Sequence, residues 1–257
     1  MKIIRKALIS VSDKNYLKKL LQILSKYKID LISSGGTYKE IKKFGFKCVE
    51  ISKYTDSPEI LDGRVKTLHP KIHAGILSKR NNKFHKNELK KLNFQEIDLV
   101  IVNFYPFEKI LNSTNNNSKI IENIDVGGPA MVRAAAKNYN DVTVITNSDQ
   151  YELLIKELNK NRGSTNLKFR QKMSQEAFSE TGYYDVLIAN YFNKILGNKF
   201  PKRKLISNNL IEKLRYGENP HQEGAIYSNK KNFKIKKLNG KQLSYNNYND
   251  IFSALII

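Results

Sequence analysis

The first fifty residues alternate between the periodicities of strands and helices, and this alternation limits the folds open to the chain. The apolar runs Ile4–Val11 and Ile29–Ser33 are typical of short buried strands. Four leucines between positions 17 and 24 recur at the spacing of one helix face. Thr37–Phe44 predicts a second helix and Phe46–Ile51 a third strand. This order predicts βαβ units, and therefore an α/β fold with a mainly parallel sheet flanked by helices.

The same pattern resumes further along the chain. Ile97–Phe104 and Asp141–Thr146 are predicted strands, Gly128–Asn138 is a predicted helix, and Gln150–Leu196 is predicted to be mostly helical. In Gly197–Asn209, glycine, proline, lysine and asparagine replace the periodic apolar residues, which indicates a linker. We therefore expect one domain over residues 1–198, with a linker and a short C-terminal stub over residues 199–257.

Composition narrows the function classes. The formal net charge is +21, but the chain has 37 lysines and only eight arginines, spread over its whole length together with 29 asparagines. Such a composition is typical of drift towards A/T-rich codons, or of a basic surface for anionic small molecules. Nucleic-acid surfaces use more arginine, so neither DNA nor RNA is predicted as a partner.

Cysteine content and hydropathy indicate the cellular compartment that we expect for the protein. The single cysteine excludes a disulfide framework and a cysteine-built zinc site. No apolar run approaches the roughly 18 residues of a membrane span, and the apolar run near the start is too short for a secretory signal. We expect a soluble cytoplasmic protein with no membrane partner.

Two loops follow predicted strands and open predicted helices. Residues 10–14, SVSDK, place Ser12, Asp13 and Lys14 at a helix start, where serine and aspartate also serve as N-caps. Residues 33–37, SSGGT, contain two glycines through which backbone N–H groups can reach an anion, although a plain tight turn has the same composition. Neither loop is a GxGxxG or Walker motif, so neither favours a dinucleotide or a nucleoside triphosphate.

Two further loops carry cations. Residues 63–70, GRVKTLHP, supply Arg64, Lys66 and Thr67, which can hold a phosphate or an oxyanion, or can lie in a solvated charged loop. Residues 125–129, DVGGP, open a helix that bears Arg133 and Lys137 on one face. No metal site is predicted, because the nearby histidines have no evident third ligand.

Placed on one sheet edge, these four loops would form a pocket for a phosphorylated small molecule. Asn103 and Tyr105 would add hydrogen-bonding groups at the end of the apolar strand before the fourth loop. The residues taken alone do not name the substrate.

Seven segments then support a family resemblance: SVSDK, SSGGT, GRVKTLHP, HAGIL, VNFYPF, IDVGGPAMVRAAAKN and LRYGENPHQ occur in this order. The chain resembles, nearly end to end, the bifunctional AICAR transformylase/IMP cyclohydrolase family of purine biosynthesis. The resemblance implies a methylglyoxal-synthase-like cyclohydrolase domain over residues 1–198. It implies that residues 199–257 are the truncated start of the transformylase domain.

The resemblance also implies an activity and a set of site residues. The family's cyclohydrolase closes the ring of 5-formamidoimidazole-4-carboxamide ribotide to IMP with loss of water, without a cofactor. The implied catalytic residues are Lys137, as the proton-transfer residue, Asp125, Tyr105 and Lys66. The implied substrate-binding residues are Ser12, Asp13, Lys14, Ser34, Gly35, Gly36, Thr37, Arg64, Thr67, Asn103 and Val126.

The transformylase half is expected to be incomplete. Arg215 and Tyr216 match the start of its substrate-binding region, but the family's Lys-His-x-Asn-Pro-Cys-Gly segment does not occur. We expect this chain to lack transformylase activity, for which 10-formyltetrahydrofolate would be the cofactor. The resemblance implies a homodimer, and the sequence leaves open a partner that is a separately encoded transformylase remainder.

Three alternatives remain open at this point. A methylglyoxal-synthase-type phosphate lyase would share the fold and would act on dihydroxyacetone phosphate. A nucleotide-binding domain that has lost catalysis would keep the pocket without the reaction. A nucleic-acid binder would show steeply salt-dependent binding to duplex DNA that IMP does not affect.

Overall fold

The computed structural model describes residues 1–229, 235 and 238–256, which form two compact units, Met1–Ile188 and Ala189–Ile257. The predicted boundary after residue 198 lies beyond this division and stays a prediction. The strands of the first unit are β1 (Lys2–Ile3), β2 (Lys6–Val11), β3 (Asp30–Ser33), β4 (Val49–Glu50), β5 (Leu99–Asn103), β6 (Thr143–Ile145) and β7 (Ser164–Thr165). The helices that begin in this unit are α1 (Leu17–Lys26), α2 (Gly35–Lys43), α3 (Ile51–Thr55), α4 (Pro70–Leu77), α5 (Lys83–Lys91), α6 (Phe107–Ser113), α7 (Asn117–Glu122), α8 (Gly127–Lys137), α9 (Tyr151–Lys160) and α10 (Leu167–Ile195).

A five-stranded sheet in the order β4-β3-β2-β5-β6 is the centre of the first unit, and every pairing in it is parallel. The prediction of a mainly parallel α/β sheet is confirmed. The central strand β2 is buried over Ala7, Leu8 and Ile9, as expected for a strand with helices on both faces of the sheet. Its neighbours β3 and β5 end at the same edge as β2, because parallel strands share their direction.

Two predicted elements differ from the structure. Phe46–Ile51 is a strand only over Val49–Glu50, because Ile51 begins α3 and is buried there at 1% exposure. The predicted helical stretch after Gln150 is interrupted between α9 and α10. Arg162 and Gly163 both have positive φ, which ends α9, and β7 then pairs antiparallel with β1.

The second unit contains an antiparallel pair of strands, β8 (Asn209–Lys213) and β9 (Ala225–Ser228), and the helix α11 (Tyr245–Ile256). The predicted linker has no helix or strand over residues 197–208, and β8 begins at its last residue. No helix in the described part of the chain combines the length and apolar character needed to cross a bilayer.

Candidate functional site

A cleft of about 730 Å³ opens in the first unit where β2, β3 and β5 end. This is the edge at which open parallel α/β sheets bind ligands. The four predicted loops all contribute to its wall. The predicted site residues that line it are Ser12, Lys14, Ser34, Gly35, Gly36, Thr37, Arg64, Lys66, Thr67, Asn103, Tyr105, Asp125 and Val126.

The N-terminus of α2 forms one wall of the cleft. Ser34 precedes the helix in an extended conformation, and its side chain makes no capping hydrogen bond with the helix. Gly35 has φ +51°, a conformation that glycine adopts without strain. The first N–H groups of α2 therefore lack intrahelical partners and face the cleft with the positive end of the helix dipole. Such a terminus is a site for an anion.

Two lysines from different loops lie over these glycines. A methyl group built on Gly36 would lie 3.6 Å from Nζ of Lys14, and one built on Gly35 would lie 3.7 Å from Nζ of Lys66. Both ammonium groups thus lie beside the N-terminus of α2, at the distance at which an added methyl group would touch them. Together with the free N–H groups they make a subsite suited to a dianionic phosphate.

Two predicted binding residues use their side chains to hold the loops together. The Thr37 hydroxyl donates to the carbonyl of Val11 at 2.9 Å and accepts from the Val11 N–H at 3.0 Å. Asn103 Oδ1 accepts from the N–H groups of Ser12 and Asp13 at 2.6 and 3.0 Å, and its Nδ2 donates to the Asp13 carbonyl at 3.2 Å. These contacts fix the ends of β2 and β5 at the cleft.

Asp125 lies where the loop after α7 enters α8. Its Oδ1 accepts from the Gly128 N–H at 2.8 Å, and a methyl group built on Gly128 would lie only 2.3 Å from its Oδ2. Burial raises the pKa of the Asp125 carboxyl, while the Gly128 hydrogen bond and the charge of Lys66 lower it. The balance is a raised pKa, so the carboxylate of Asp125 is a stronger base than that of an ordinary aspartate.

An ion pair that sequence reasoning missed lies at the cleft. The Arg64 guanidinium donates to both carboxylate oxygens of Glu122, with an Nε–Oε1 distance of 3.2 Å. Both residues line the cleft, as does a further carboxylate, Asp62. The only sequence signal for Glu122 is its place just before the IDVGGP motif. Three cations therefore meet three carboxylates in the cleft, so its wall is not uniformly basic.

Lys137 does not line the cleft, and its predicted role as the proton-transfer residue stays a prediction. Lys137 is the last residue of α8, whose first residues line the cleft, and ten residues of helix span about 15 Å. Its side chain is exposed and does not line the cleft. Arg133 on the same helix is also outside the lining, and its guanidinium lies 5.5 Å from the ring centre of Phe178.

Asp13 is likewise outside the cleft lining, and its predicted binding role stays a prediction. Its carboxylate accepts from the Asn15 N–H at 2.9 Å and from the Ser148 hydroxyl at 3.0 Å. The hydrogen bond from the Asn15 N–H is the main reason that the pKa of Asp13 lies below the usual carboxyl range. Asp13 thus orders its own loop, in keeping with the structural alternative for this motif.

Arg215 and Tyr216 belong to the second unit, between β8 and β9. The Arg215 guanidinium lies 4.8 Å from the Tyr216 ring centre and donates to its hydroxyl at 3.1 Å. That hydrogen bond lowers the pKa of Tyr216. Their predicted role as a transformylase remnant stays a prediction.

Comparison with known proteins divides the chain between two families. The MGS-like domain family matches residues 16–130, and the AICARFT/IMPCHase bienzyme family matches residues 135–257. The bifunctional purine biosynthesis protein PurH of Bradyrhizobium diazoefficiens is 44% identical over 98% of this chain. That of Acetivibrio thermocellus is 45% identical over 99% of it.

This chain is a PurH-like protein.

It pairs an MGS-like domain with the beginning of the bienzyme region, and it spans about half the length of these relatives, 48% and 51%. The crystal structure of ForH resembles this chain with a TM-score of 0.66 at 30% identity, and the match covers 74% of this chain and 99% of ForH. The resemblance stated from the motifs and the MGS-like α/β fold are confirmed.

Gly128→Ala tests the tight packing around Asp125. The added methyl group would push the carboxylate away and weaken the Gly128 hydrogen bond, so we expect unfolding in urea to become easier by about 1–3 kcal/mol. Gly182→Ala is the matched control, because no described heavy atom lies within 4 Å of its added methyl group. In α10 it should stabilise by about 0.5–1 kcal/mol. Equal effects of the two substitutions would contradict the packing described here.

Glu122→Gln tests whether the ion pair restrains Arg64. Both side chains are largely exposed, so the ion pair contributes little to stability. Without it the Arg64 guanidinium is free to meet a ligand, and binding of a purine nucleoside monophosphate should become about two- to fivefold tighter. Isothermal titration calorimetry measures this change. Glu152→Gln is the control, since Glu152 pairs with Lys19 outside the cleft lining. Weaker binding by the Glu122 variant would show that Glu122 itself supports the ligand.

Proposed function

We propose that this chain is an IMP cyclohydrolase, which closes the ring of 5-formamidoimidazole-4-carboxamide ribotide and releases water. One observation carries the proposal: a free helix N-terminus with two lysines lies in the same cleft as a partly buried carboxyl of raised pKa. The helix N-terminus with its two lysines suits the phosphate of a ribotide, and the carboxyl group suits proton transfer at the substituents of the ribotide's imidazole. The identity to PurH proteins supports the assignment.

In this proposal the ribotide phosphate binds at the N-terminus of α2. The N–H groups of Gly35 and Gly36 donate to it, and the ammonium groups of Lys14 and Lys66 balance its charge. When the phosphate is held there, the sugar and the imidazole extend along the cleft towards Asp125. This binding energy orients the two reacting substituents of the ring.

Ring closure joins the carboxamide nitrogen to the formyl carbon. The amide nitrogen loses one proton, the formyl oxygen becomes a hydroxyl group, and the formamido nitrogen loses its proton as that hydroxyl leaves as water. The two protons lost by nitrogen equal the two gained by oxygen, so the equation balances without a cofactor. An amide is a poor nucleophile, so the site must accept a proton and stabilise the oxyanion.

Asp125 and Lys66 fit these two tasks. Asp125 in its ionised form would take the amide proton and, once protonated, would return a proton to the leaving hydroxyl group. The Lys66 ammonium would stabilise the developing negative charge on the formyl oxygen. Tyr105 lines the same cleft, 46% exposed, and can donate a hydrogen bond to the base or to that oxygen.

The MGS-like match over residues 16–130 supports a second candidate, a phosphate lyase acting on dihydroxyacetone phosphate. The anion subsite would serve that substrate equally well. The bienzyme match over residues 135–257 favours the cyclohydrolase. An assay with each substrate separates the two activities. The expected lack of transformylase activity, the homodimer and a separately encoded partner stay predictions.

Comparing Lys66→Ala with Lys137→Ala tests which lysine takes part in the reaction. We expect Lys66→Ala to lower kcat/KM for IMP formation at least about a hundredfold, since it removes charge at both the phosphate and the oxyanion. Lys137→Ala should keep the activity within about threefold, because an exposed residue some 15 Å along the helix does not reach the cleft. IMP formation from the formylated ribotide is followed directly. The reverse order of effects would support the proton-transfer role that the family resemblance implies for Lys137.

A pH–rate profile tests Asp125 as the base. Because the base must be ionised, kcat/KM should fall as pH falls through the Asp125 pKa, which burial raises above the usual carboxyl range. Asp125→Asn should lose this acid limb together with most of the activity. A variant that keeps the same acid limb would show that another group accepts the proton.

A further inference from the structure

Tyr184 is a buried residue of α10 that contacts the loop carrying Asp125. Its hydroxyl oxygen accepts a hydrogen bond from the Asp125 N–H at 2.8 Å. The same hydroxyl group lies 3.4 Å from the carbonyl oxygen of Asn123, to which it donates. The side chain is 4% exposed, so these backbone groups are held without competition from solvent.

The ring of Tyr184 contacts a second loop of the cleft. Its centre lies 5.1 Å from that of Phe104 in a tilted arrangement and 5.8 Å from that of Phe107 edge to face. These two phenylalanines flank Tyr105, which lines the cleft. Aromatic pairs of this geometry are favourable beyond the apolar area they bury. One side chain therefore joins the loop after β5 to the loop before α8.

Asp125 is thus held from two directions. Tyr184 fixes its backbone through the N–H, and Gly128 fixes its carboxylate through Oδ1. A carboxylate on a loop needs such support, because a proton acceptor displaced by about 1 Å can lose about a hundredfold in rate.

We infer that Tyr184 is a positioning residue for Asp125 in the ring closure, an inference that rests on the proposed function. Among the described residues, the hydroxyl group of Tyr184 bonds to the Asp125 N–H and to the Asn123 carbonyl, and Tyr184 does not line the cleft, so it acts through Asp125. It lies outside the MGS-like match over 16–130 and inside the bienzyme match over 135–257. The bienzyme region therefore supplies a support for a site whose second, third and fourth loops lie within the MGS-like match, while residues 10–14 precede that match.

Tyr184→Phe is the test, because it keeps the ring contacts and removes only the hydroxyl group. We expect kcat for IMP formation to fall about 10- to 100-fold, while the affinity for IMP changes less than about threefold because the phosphate subsite is intact. The acid limb of the pH–rate profile should move, since the Asp125 carboxyl changes its surroundings. A crystal structure of the variant should show the Asp125 carboxylate displaced.

Tyr151→Phe is the matched control. Tyr151 is also a buried tyrosine, but its hydroxyl group has no hydrogen-bond partner among the described residues. Its removal should leave kcat, the acid limb and the position of Asp125 unchanged. Urea unfolding of both variants shows whether either substitution acts through stability alone.

The outcomes separate the two proposals. If Tyr184→Phe keeps the wild-type kcat, acid limb and Asp125 position while Asp125→Asn is inactive, the positioning role is overturned and the cyclohydrolase stands. If the wild-type protein forms no IMP, the proposed function fails. The Tyr184→Phe crystal structure is informative even then. An Asp125 carboxylate that stays in place overturns the positioning role, whereas a displaced carboxylate supports the Tyr184–Asp125 contact on which that role rests.

Discussion

The parallel pairing of β2 with β3 and β5 is the constraint on which the site depends. Ile9 pairs with Ser33 and Val11 with Asn103, so the three strands end at one edge. Residues distant in sequence, such as Lys14 and Tyr105, meet in one cleft only because these strands run in the same direction. The buried apolar strands supply the stability, and the loops at their ends are left to carry the chemistry.

The cleft recognises an anion by local arrangement and not by the overall charge of the chain. The net charge of +21 is spread over the whole sequence, whereas the cleft balances its cations with carboxylates. What distinguishes the phosphate subsite is the free N-terminus of α2 beside the ammonium groups of Lys14 and Lys66. The composition alone therefore says little about the ligand.

Much of the fold and site could be predicted because it is local in sequence. Strand and helix periodicity locate β2, α1 and β5, and glycine-rich loops after strands indicate ligand contacts. The position of Lys137 relative to the cleft could not be predicted, because a motif written as a string does not say which end of a helix faces the site. Glu122 was missed because it lies outside every motif, and Tyr184 because its bond to Asp125 joins residues 59 positions apart. Such contacts follow from packing and not from spacing.

A crystal structure with IMP bound would show directly where the ribotide phosphate lies. We expect it against the N–H groups of Gly35 and Gly36, within hydrogen-bond reach of Nζ of Lys14 and Lys66, with the purine directed towards Asp125. A phosphate bound elsewhere, or a purine directed away from Asp125, would contradict the proposed binding of the ribotide.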